Sequence, residues 1–101
     1  MRIPESATLI TVTYRDDEYG VPEKVETERE VYGYFDSLTA MEIFDGGRAG
    51  LNPELRFTMI DIDYCDETIL VRGNKRYAVY RTYRPGNGRV ELYCERKGGT
   101  N

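Results

Sequence analysis

The sequence has no histidine and no tryptophan, only two cysteines, and no long hydrophobic run. Without histidine, Ser-His and Cys-His catalysis is excluded, and so is the commonest general base near neutral pH. Cys65 and Cys94 are too few for a Cys-rich zinc site and predict free thiols. No stretch approaches the roughly 18 apolar residues of a membrane-spanning helix. These absences argue against an enzyme, a metal, a cofactor and a membrane partner.

The 101 residues suit a single domain, residues 1–101, with one modest core. The net charge of −4 argues against a generic nucleic-acid binder, which normally carries a basic footprint. The charge is unevenly distributed along the chain. Residues 1–54 hold 5 basic and 12 acidic side chains (net −7), whereas residues 55–101 hold 9 basic and 6 acidic ones (net +3).

The first third of the chain has the alternating pattern of β-strands. Residues 7–14 and 25–35 alternate apolar and polar side chains, and the charged residues 15–24 between them predict a long turn. Three acidic side chains of the second strand share one face, which we expect to be in water. They are Glu26, Glu28 and Glu30.

The β pattern stops at residues 36–54. Thr39 and Glu42 have the spacing of a capping box, which predicts one or two helical turns. Gly46 and Gly47 are expected to end the helix and to begin a mobile, glycine-bearing loop that Pro53 helps to close. A connection this long in a compact domain is usually functional or disordered.

The second half predicts four further strands. Residues 55–64 alternate with a phase slip near Met59 and Ile60, which favours a bulge or bend inside one strand. Residues 68–72 and 75–84 flank Gly73-Asn74, a two-residue hairpin signal, and residues 85–88 form a second turn before residues 89–96. About six strands joined mostly by hairpins predict an all-β fold, a small barrel or a sandwich.

Two clusters have a functional as well as a structural interpretation. Alternation along the fifth strand places Tyr77, Arg81 and Tyr83 on one face, where they would stack bases, bind a protein partner or simply pack across strands. The packing interpretation is favoured. A row of acids would bind a divalent cation or be a solvated face; we favour the face, because the EF-hand spacing is absent. These acids are Asp61, Asp63, Asp66 and Glu67.

An ordered set of motifs resembles a known family. The motifs are Glu42-x-Phe44, Arg48-Ala-Gly-Leu-Asn-Pro-Glu54, Tyr64 with Glu67, Gly73-Asn-Lys-Arg-Tyr77, Tyr80-Arg-Thr-Tyr83 and Val90-Glu-Leu-Tyr93 with Glu95-Arg96. Together they resemble the phage head–tail joining proteins, in particular the head-closure (stopper) group of siphophages and of prophages in Gram-positive bacteria. The resemblance runs from about Tyr32 to Gly98.

The resemblance implies a small β-barrel with a long internal loop that acts as a structural virion component. Such proteins are made in the host cytoplasm and assemble at the virion neck as a ring, with twelve copies as the expected number. The ring lies between a portal or adaptor protein above and a tail-completion protein below, and its loops retain packaged DNA in the channel. Alternatives are another neck or tail-completion protein with the same barrel, or an oligonucleotide-binding barrel.

Carried onto this chain, the channel loop covers residues 37–54. Its candidate gate residues are Ser37, Leu38, Met41, Glu42, Phe44, Gly46, Gly47, Arg48, Gly50, Pro53 and Glu54.

A ring is built from heterologous contacts, so the charge asymmetry suggests that an acidic face meets the basic hairpin of the next subunit. The candidate interface residues are Glu26, Glu28, Glu30, Arg76, Arg81, Tyr83, Arg84 and Arg89.

Overall fold

The computed structural model describes residues 3–96, and most of them lie in strands. The strands are β1 (Glu5–Asp16), β2 (Pro22–Ser37), β3 (Pro53–Ile60), β4 (Ile69–Arg72), β5 (Lys75–Tyr83) and β6 (Arg89–Glu95). One helix, α1 (Ala40–Arg48), lies between β2 and β3, and a single 3-10 turn (Asp61–Asp63) follows β3. The predicted all-β class with one short helical element is therefore confirmed.

All six strands belong to one antiparallel sheet that closes on itself. The strand order is β1-β2-β3-β6-β5-β4, and β4 pairs back with β1 through Thr8–Ile10. Both predicted hairpins of the second half are present, at Gly73-Asn74 between β4 and β5 and at residues 84–88 between β5 and β6. The closed sheet fixes the ends of residues 37–54, because Ser37 pairs with Leu55.

The core fills the inside of the closed sheet. In β6, Val90, Leu92 and Cys94 are fully buried and Arg89 is exposed, and Tyr93 on the other face is also buried, at 5% exposure. Phe57 is also fully buried and its ring lies 4.6 Å from that of Phe35, centroid to centroid. The other core side chains are Ala7, Leu9, Val31, Leu55, Met59, Leu70 and Tyr77.

The phase slip near Met59 and Ile60 marks the end of β3, so the bulge or bend predicted at this place does not lie inside a strand; the register shift of β3 lies between Pro53 and Leu55. Leu55, Phe57 and Met59 are buried in β3, but Ile60 is 60% exposed and Ile62, in the 3-10 turn, is 92% exposed. The chain leaves the sheet at this point, so Ile60 and Ile62 do not face the core, whereas Tyr64 packs against it.

The turn predicted at residues 15–24 is shorter in the structure. β1 continues to Asp16 and β2 begins at Pro22, so the two longest strands form one hairpin with a tight tip. Asp17 holds this tip, since its carboxylate accepts hydrogen bonds from the Tyr19 N–H at 2.8 Å and the Val21 N–H at 3.0 Å. Charge and glycine content indicated a turn here, but local hydrogen bonding confines it to a few residues.

Candidate functional site

Residues 37–54 fold into a capped helix and not mainly into a loop. The Thr39 hydroxyl accepts a hydrogen bond from the Glu42 N–H at 3.2 Å, and the Glu42 carboxylate accepts one from the Thr39 N–H at 2.9 Å. The predicted capping box is therefore confirmed. The hydrogen bond from the Thr39 N–H lowers the pKa of Glu42, so this cap is charged at neutral pH.

Gly46 and Gly47 do not end the helix, which continues to Arg48. A Cβ at Gly46 would lie 2.3 Å from Cγ of Pro53, so the helix backbone lies directly against the first residue of β3. The Leu51 N–H also donates to the Gly46 carbonyl at 2.9 Å. The glycine therefore permits close helix–strand packing here, and the interpretation of it as the start of a mobile loop is wrong.

Helix α1 carries its apolar side chains on the outside. Met41 is 67% exposed, Phe44 61% and Ile43 46%, whereas Glu42 and Gly46 are partly covered by the sheet. The guanidinium of Arg48 lies over the Phe44 ring at 5.8 Å from its centroid. In an ordinary surface helix the apolar stripe faces the core. The outward stripe of Met41, Ile43 and Phe44 is therefore the most unusual surface of residues 37–54; Met41 and Phe44 are predicted gate residues, and Ile43 is not among them.

The remaining gate residues lie at the base of this segment. Ser37 ends β2 and is exposed, and Leu38 is buried at 8% exposure. Pro53 and Glu54 begin β3, where the Glu54 carboxylate accepts a hydrogen bond from the Tyr77 hydroxyl at 2.9 Å. Gly50 follows the helix with a φ of +83°. The segment is thus tied to the closed sheet at both of its ends.

A groove of about 370 Å³ lies between α1 and the outside of the sheet. Tyr93 forms the floor of the groove. The Arg81 guanidinium lies over the Tyr93 ring, 4.8 Å from its centroid, and the Tyr93 hydroxyl donates a hydrogen bond to the Glu91 carboxylate at 2.9 Å. Tyr80 lies beside it, 6.4 Å from the Tyr93 ring centroid. Burial raises the pKa of both tyrosines, so both phenols are neutral hydrogen-bond donors at physiological pH. The groove can bind a side chain or a ligand through stacking and polar contacts.

The predicted acidic face is confirmed in position, because Glu26, Glu28 and Glu30 are all exposed on β2. The structure adds a contact within the chain: an Arg76 guanidinium N–H donates to the Glu26 carboxylate at 3.2 Å. This hydrogen bond lowers the pKa of Glu26. The two residues expected to meet across a subunit boundary thus already contact each other inside one subunit.

Of the other arginines predicted at the interface, one forms an ion pair within the chain and two lie over aromatic rings. Arg84 is paired within the chain, with its Nε 2.7 Å from the carboxylate of Asp61. Arg81 lies over Tyr93, and Arg89 lies over the Tyr34 ring at 6.0 Å from its centroid. Tyr83 is 48% exposed. Whether any of these residues forms a subunit interface stays a prediction.

The proposed base-stacking face of β5 does not exist. The register between β5 and β6 shifts between Val79 and Arg81, so Tyr80 is an extra residue and the two ends of β5 face opposite ways. Tyr77 is buried inside the closed sheet at 4% exposure, whereas Arg81 lies outside it. The alternation that placed Tyr77, Arg81 and Tyr83 on one face is therefore wrong.

The four acids after β3 serve structural contacts. Glu67 is buried at 3% exposure, and its carboxylate accepts hydrogen bonds from the Arg29 guanidinium at 3.0 Å and the Cys65 N–H at 2.9 Å. Asp61 pairs with Arg84. Within residues 3–96, no group of three or more acidic or cysteine side chains is arranged to hold a metal ion.

Sequence patterns did not indicate the Arg29–Glu67 contact. The residues are 38 positions apart, and Arg29 lies on a strand whose sequence otherwise predicts a solvated row of charges. The only local signal was Glu67 itself, an acid directly before a hydrophobic strand.

A pair of glycine substitutions tests how α1 is held. Gly46→Ala and Gly47→Ala add the same methyl group to the same helix, and each gains up to about 1 kcal/mol of helix propensity. Nothing lies within 4 Å of a Cβ at Gly47, but one at Gly46 would clash with Pro53. We expect Gly47→Ala to stabilise the protein and Gly46→Ala to destabilise it by roughly 1–3 kcal/mol, measured by urea unfolding. Equal effects would show that α1 does not pack on β3.

Comparisons of the chain with protein-family models, curated proteins and solved structures find no match. Among residues 3–96, no helix is long and apolar enough to cross a membrane. The candidate site therefore rests on the chain's own geometry: a closed sheet, a docked helix with an outward apolar stripe, and a long β1–β2 hairpin.

Proposed function

We propose that this protein is a structural component of a phage neck, the head-closure connector of a long-tailed phage or prophage. Its closed sheet would be the small β-barrel of that family, assembled as a ring beneath the portal or adaptor protein. The observation that carries the proposal is the place of residues 37–54. The motifs that carry the resemblance begin in this segment. The segment forms helix α1, which packs against the outside of the sheet.

In this function α1 is the gate that retains packaged DNA. Its outward stripe, Met41, Ile43 and Phe44, gives each subunit an apolar ridge. The helix holds two acids and one base, Glu42, Asp45 and Arg48, so it offers DNA no net positive charge. Retention would be steric, because a ring of such ridges narrows the channel. Weak attraction to phosphates suits a gate that must later release the genome.

A deletion tests the gate directly. Removing residues 40–50 leaves Thr39 and Leu51 to close a short connection, which the pairing of Ser37 with Leu55 keeps within reach. We expect a folded protein that still joins the portal complex, with particles that lose packaged DNA. The measurement is nuclease-protected DNA per purified head, compared with wild type.

The double variant Met41→Ser with Phe44→Ser is the matched control, since it keeps the helix and removes most of its apolar ridge. If the helix retains DNA by its bulk, heads with this double variant should lose less packaged DNA than heads with the deletion variant. Heads that retain all of their DNA with the deletion variant would refute the gate. Electron microscopy of the same particles separates this proposal from a tail-completion protein, because that alternative places the protein on the tail side of the ring.

A further inference from the structure

The β1–β2 hairpin extends beyond the closed sheet as a two-stranded arm, residues 11–27. β4 pairs with β1 only through Thr8–Ile10, and β3 pairs with β2 only from Tyr34 onward. Among the described residues, no third strand pairs with either side of the arm. Both outer edges therefore present main-chain N–H and C=O groups to solvent, and such edges can add another strand.

The arm is long for an unsupported ribbon. Six residues of β1 lie beyond Ile10 and span about 20 Å at strand geometry. The radius of gyration is 15.0 Å, against roughly 13 Å for a compact domain of this size. A two-stranded ribbon is marginal on its own in water. Exposed side chains at Tyr14, Tyr19 and Val21 (70%, 82% and 56%) add apolar surface that nothing in the described chain covers.

The two edges differ in chemistry. Residues 11–14 of the β1 edge carry no charge, and Arg15 and Asp16 follow at its end, whereas three of the six residues 22–27 on the β2 edge are charged. Like charges on facing edges disfavour strand pairing, so the charged β2 edge disfavours pairing with another β2 edge, and residues 11–14 of β1 are the less protected side. Two β2 edges side by side would bring rows of glutamates together. Pairing of the neutral β1 edge with the charged β2 edge avoids this repulsion.

Charge complementarity indicates that the partner strand belongs to a second copy. Arg15, at the end of the β1 edge, forms no ion pair within residues 3–96, and neither do Glu23 and Glu28 of the β2 edge. Glu23 lies opposite Arg15 in their own hairpin without forming an ion pair with it, and a neighbouring β2 edge would offer Arg15 a second carboxylate.

We propose that the arm is the subunit-joining element: the β1 edge of one copy pairs antiparallel with the β2 edge of the next. Each added copy presents the same two free edges, so the contact is heterologous and repeats until the rotation per copy closes a ring. The inference deepens the proposed function and rests on it for the expectation of a ring. It also assigns the acidic face a new neighbour, the edge of an adjacent arm.

Cross-linking between two chains that each carry one reactive cysteine tests the pairing. One chain carries Thr13→Cys and the other Val25→Cys, and both also carry Cys65→Ser. Cys94 stays in place because it is fully buried, and burial raises its pKa to about 12, so its thiol does not react. The chains are mixed at high concentration with a short bismaleimide. We expect the mixed product to dominate. Dominance of the Thr13→Cys homodimer would indicate pairing of two β1 edges and overturn the proposal, and so would the absence of any product.

Charge substitutions at Tyr14 provide a second, independent readout. Tyr14 lies opposite Lys24 of its own chain. In an antiparallel pair that places Tyr14 opposite Glu26 of the next copy, Glu28 would be a diagonal neighbour. Tyr14→Glu should therefore preserve the arm but weaken association roughly two- to fivefold per contact, measured by sedimentation equilibrium. Tyr14→Lys should weaken it less. An equal loss for both variants would overturn the proposal.

These measurements use the chain alone, so they separate the two proposals. Arms that cross-link as expected in a protein that plays no part in DNA retention would refute the phage function and leave the pairing intact. Arms that fail to cross-link would refute the pairing, whatever the result with packaged heads.

Discussion

Replacing Gly33 with alanine is expected to cost about 3 kcal/mol of folding free energy, the upper end for an overpacked site. Gly33 lies on β2, immediately before the residues that pair with β3. A Cβ here would lie 2.2 Å from the Thr58 carbonyl oxygen and 2.7 Å from Cζ of Phe57. Neither atom can move away easily, because one belongs to a strand backbone and the other to a fully buried ring.

The expected loss is a large share of the roughly 5–15 kcal/mol that stabilises a small domain. Urea unfolding followed by tyrosine fluorescence measures it, and Gly47→Ala, which adds the same methyl group in open space, is the matched control. A loss below about 1 kcal/mol for Gly33→Ala would show that β2 and β3 are not in close contact at this point, since a clash with backbone has no inexpensive relief.

Local sequence signals predicted those parts of the fold that depend on a few neighbouring residues. Gly73-Asn74 between two β patterns predicted a hairpin because those residues adopt the backbone angles of a tight turn, and Gly73 has a φ of +63°. Thr39 and Glu42 predicted the start of α1 because each satisfies the backbone of the other.

Sequence patterns failed where distant parts of the chain decide the outcome. The sequence predicts that Gly46 ends the helix. In the fold, however, the Pro53 ring occupies the space that a side chain at Gly46 would need. The extra residue at Tyr80 reverses the faces of β5, and only the pairing with β6 reveals it. The closure of β4 onto β1 ends at Ile10, which leaves the arm without a third strand among the described residues. Each of these depends on tertiary contacts that periodicity does not encode.

The prediction of the subunit interface also failed to include contacts between distant parts of the chain. Charge asymmetry along the chain suggested acidic and basic faces that would meet between subunits. The fold brings Arg76 to Glu26 and Arg84 to Asp61 within one chain, across separations of 50 and 23 positions. Exposed ion pairs of this kind contribute little stability. They do neutralise part of the asymmetry, which leaves fewer unpaired charges for a contact between subunits.

Replacing Arg29 with methionine is expected to destabilise the protein by about 3 kcal/mol, because it leaves the Glu67 carboxylate buried without its cation. Arg29 contacts Glu67 through two guanidinium nitrogens, at 3.0 and 2.8 Å, and donates to the Asp63 carbonyl oxygen. It thereby holds the connection between β3 and β4 against β2. Methionine keeps most of the side-chain volume, so the loss reports the charge and its hydrogen bonds.

A double variant separates this cost from any general weakening of the connection. Arg29→Met combined with Glu67→Gln removes the buried charge, and the amide that replaces the Glu67 carboxylate still offers an oxygen to the Cys65 N–H. We expect the double variant to recover at least about half of the loss, since an unpaired buried charge costs more than a neutral polar pair. If both variants unfold at the same urea concentration, the connection is held by packing, and the ion pair only accompanies it.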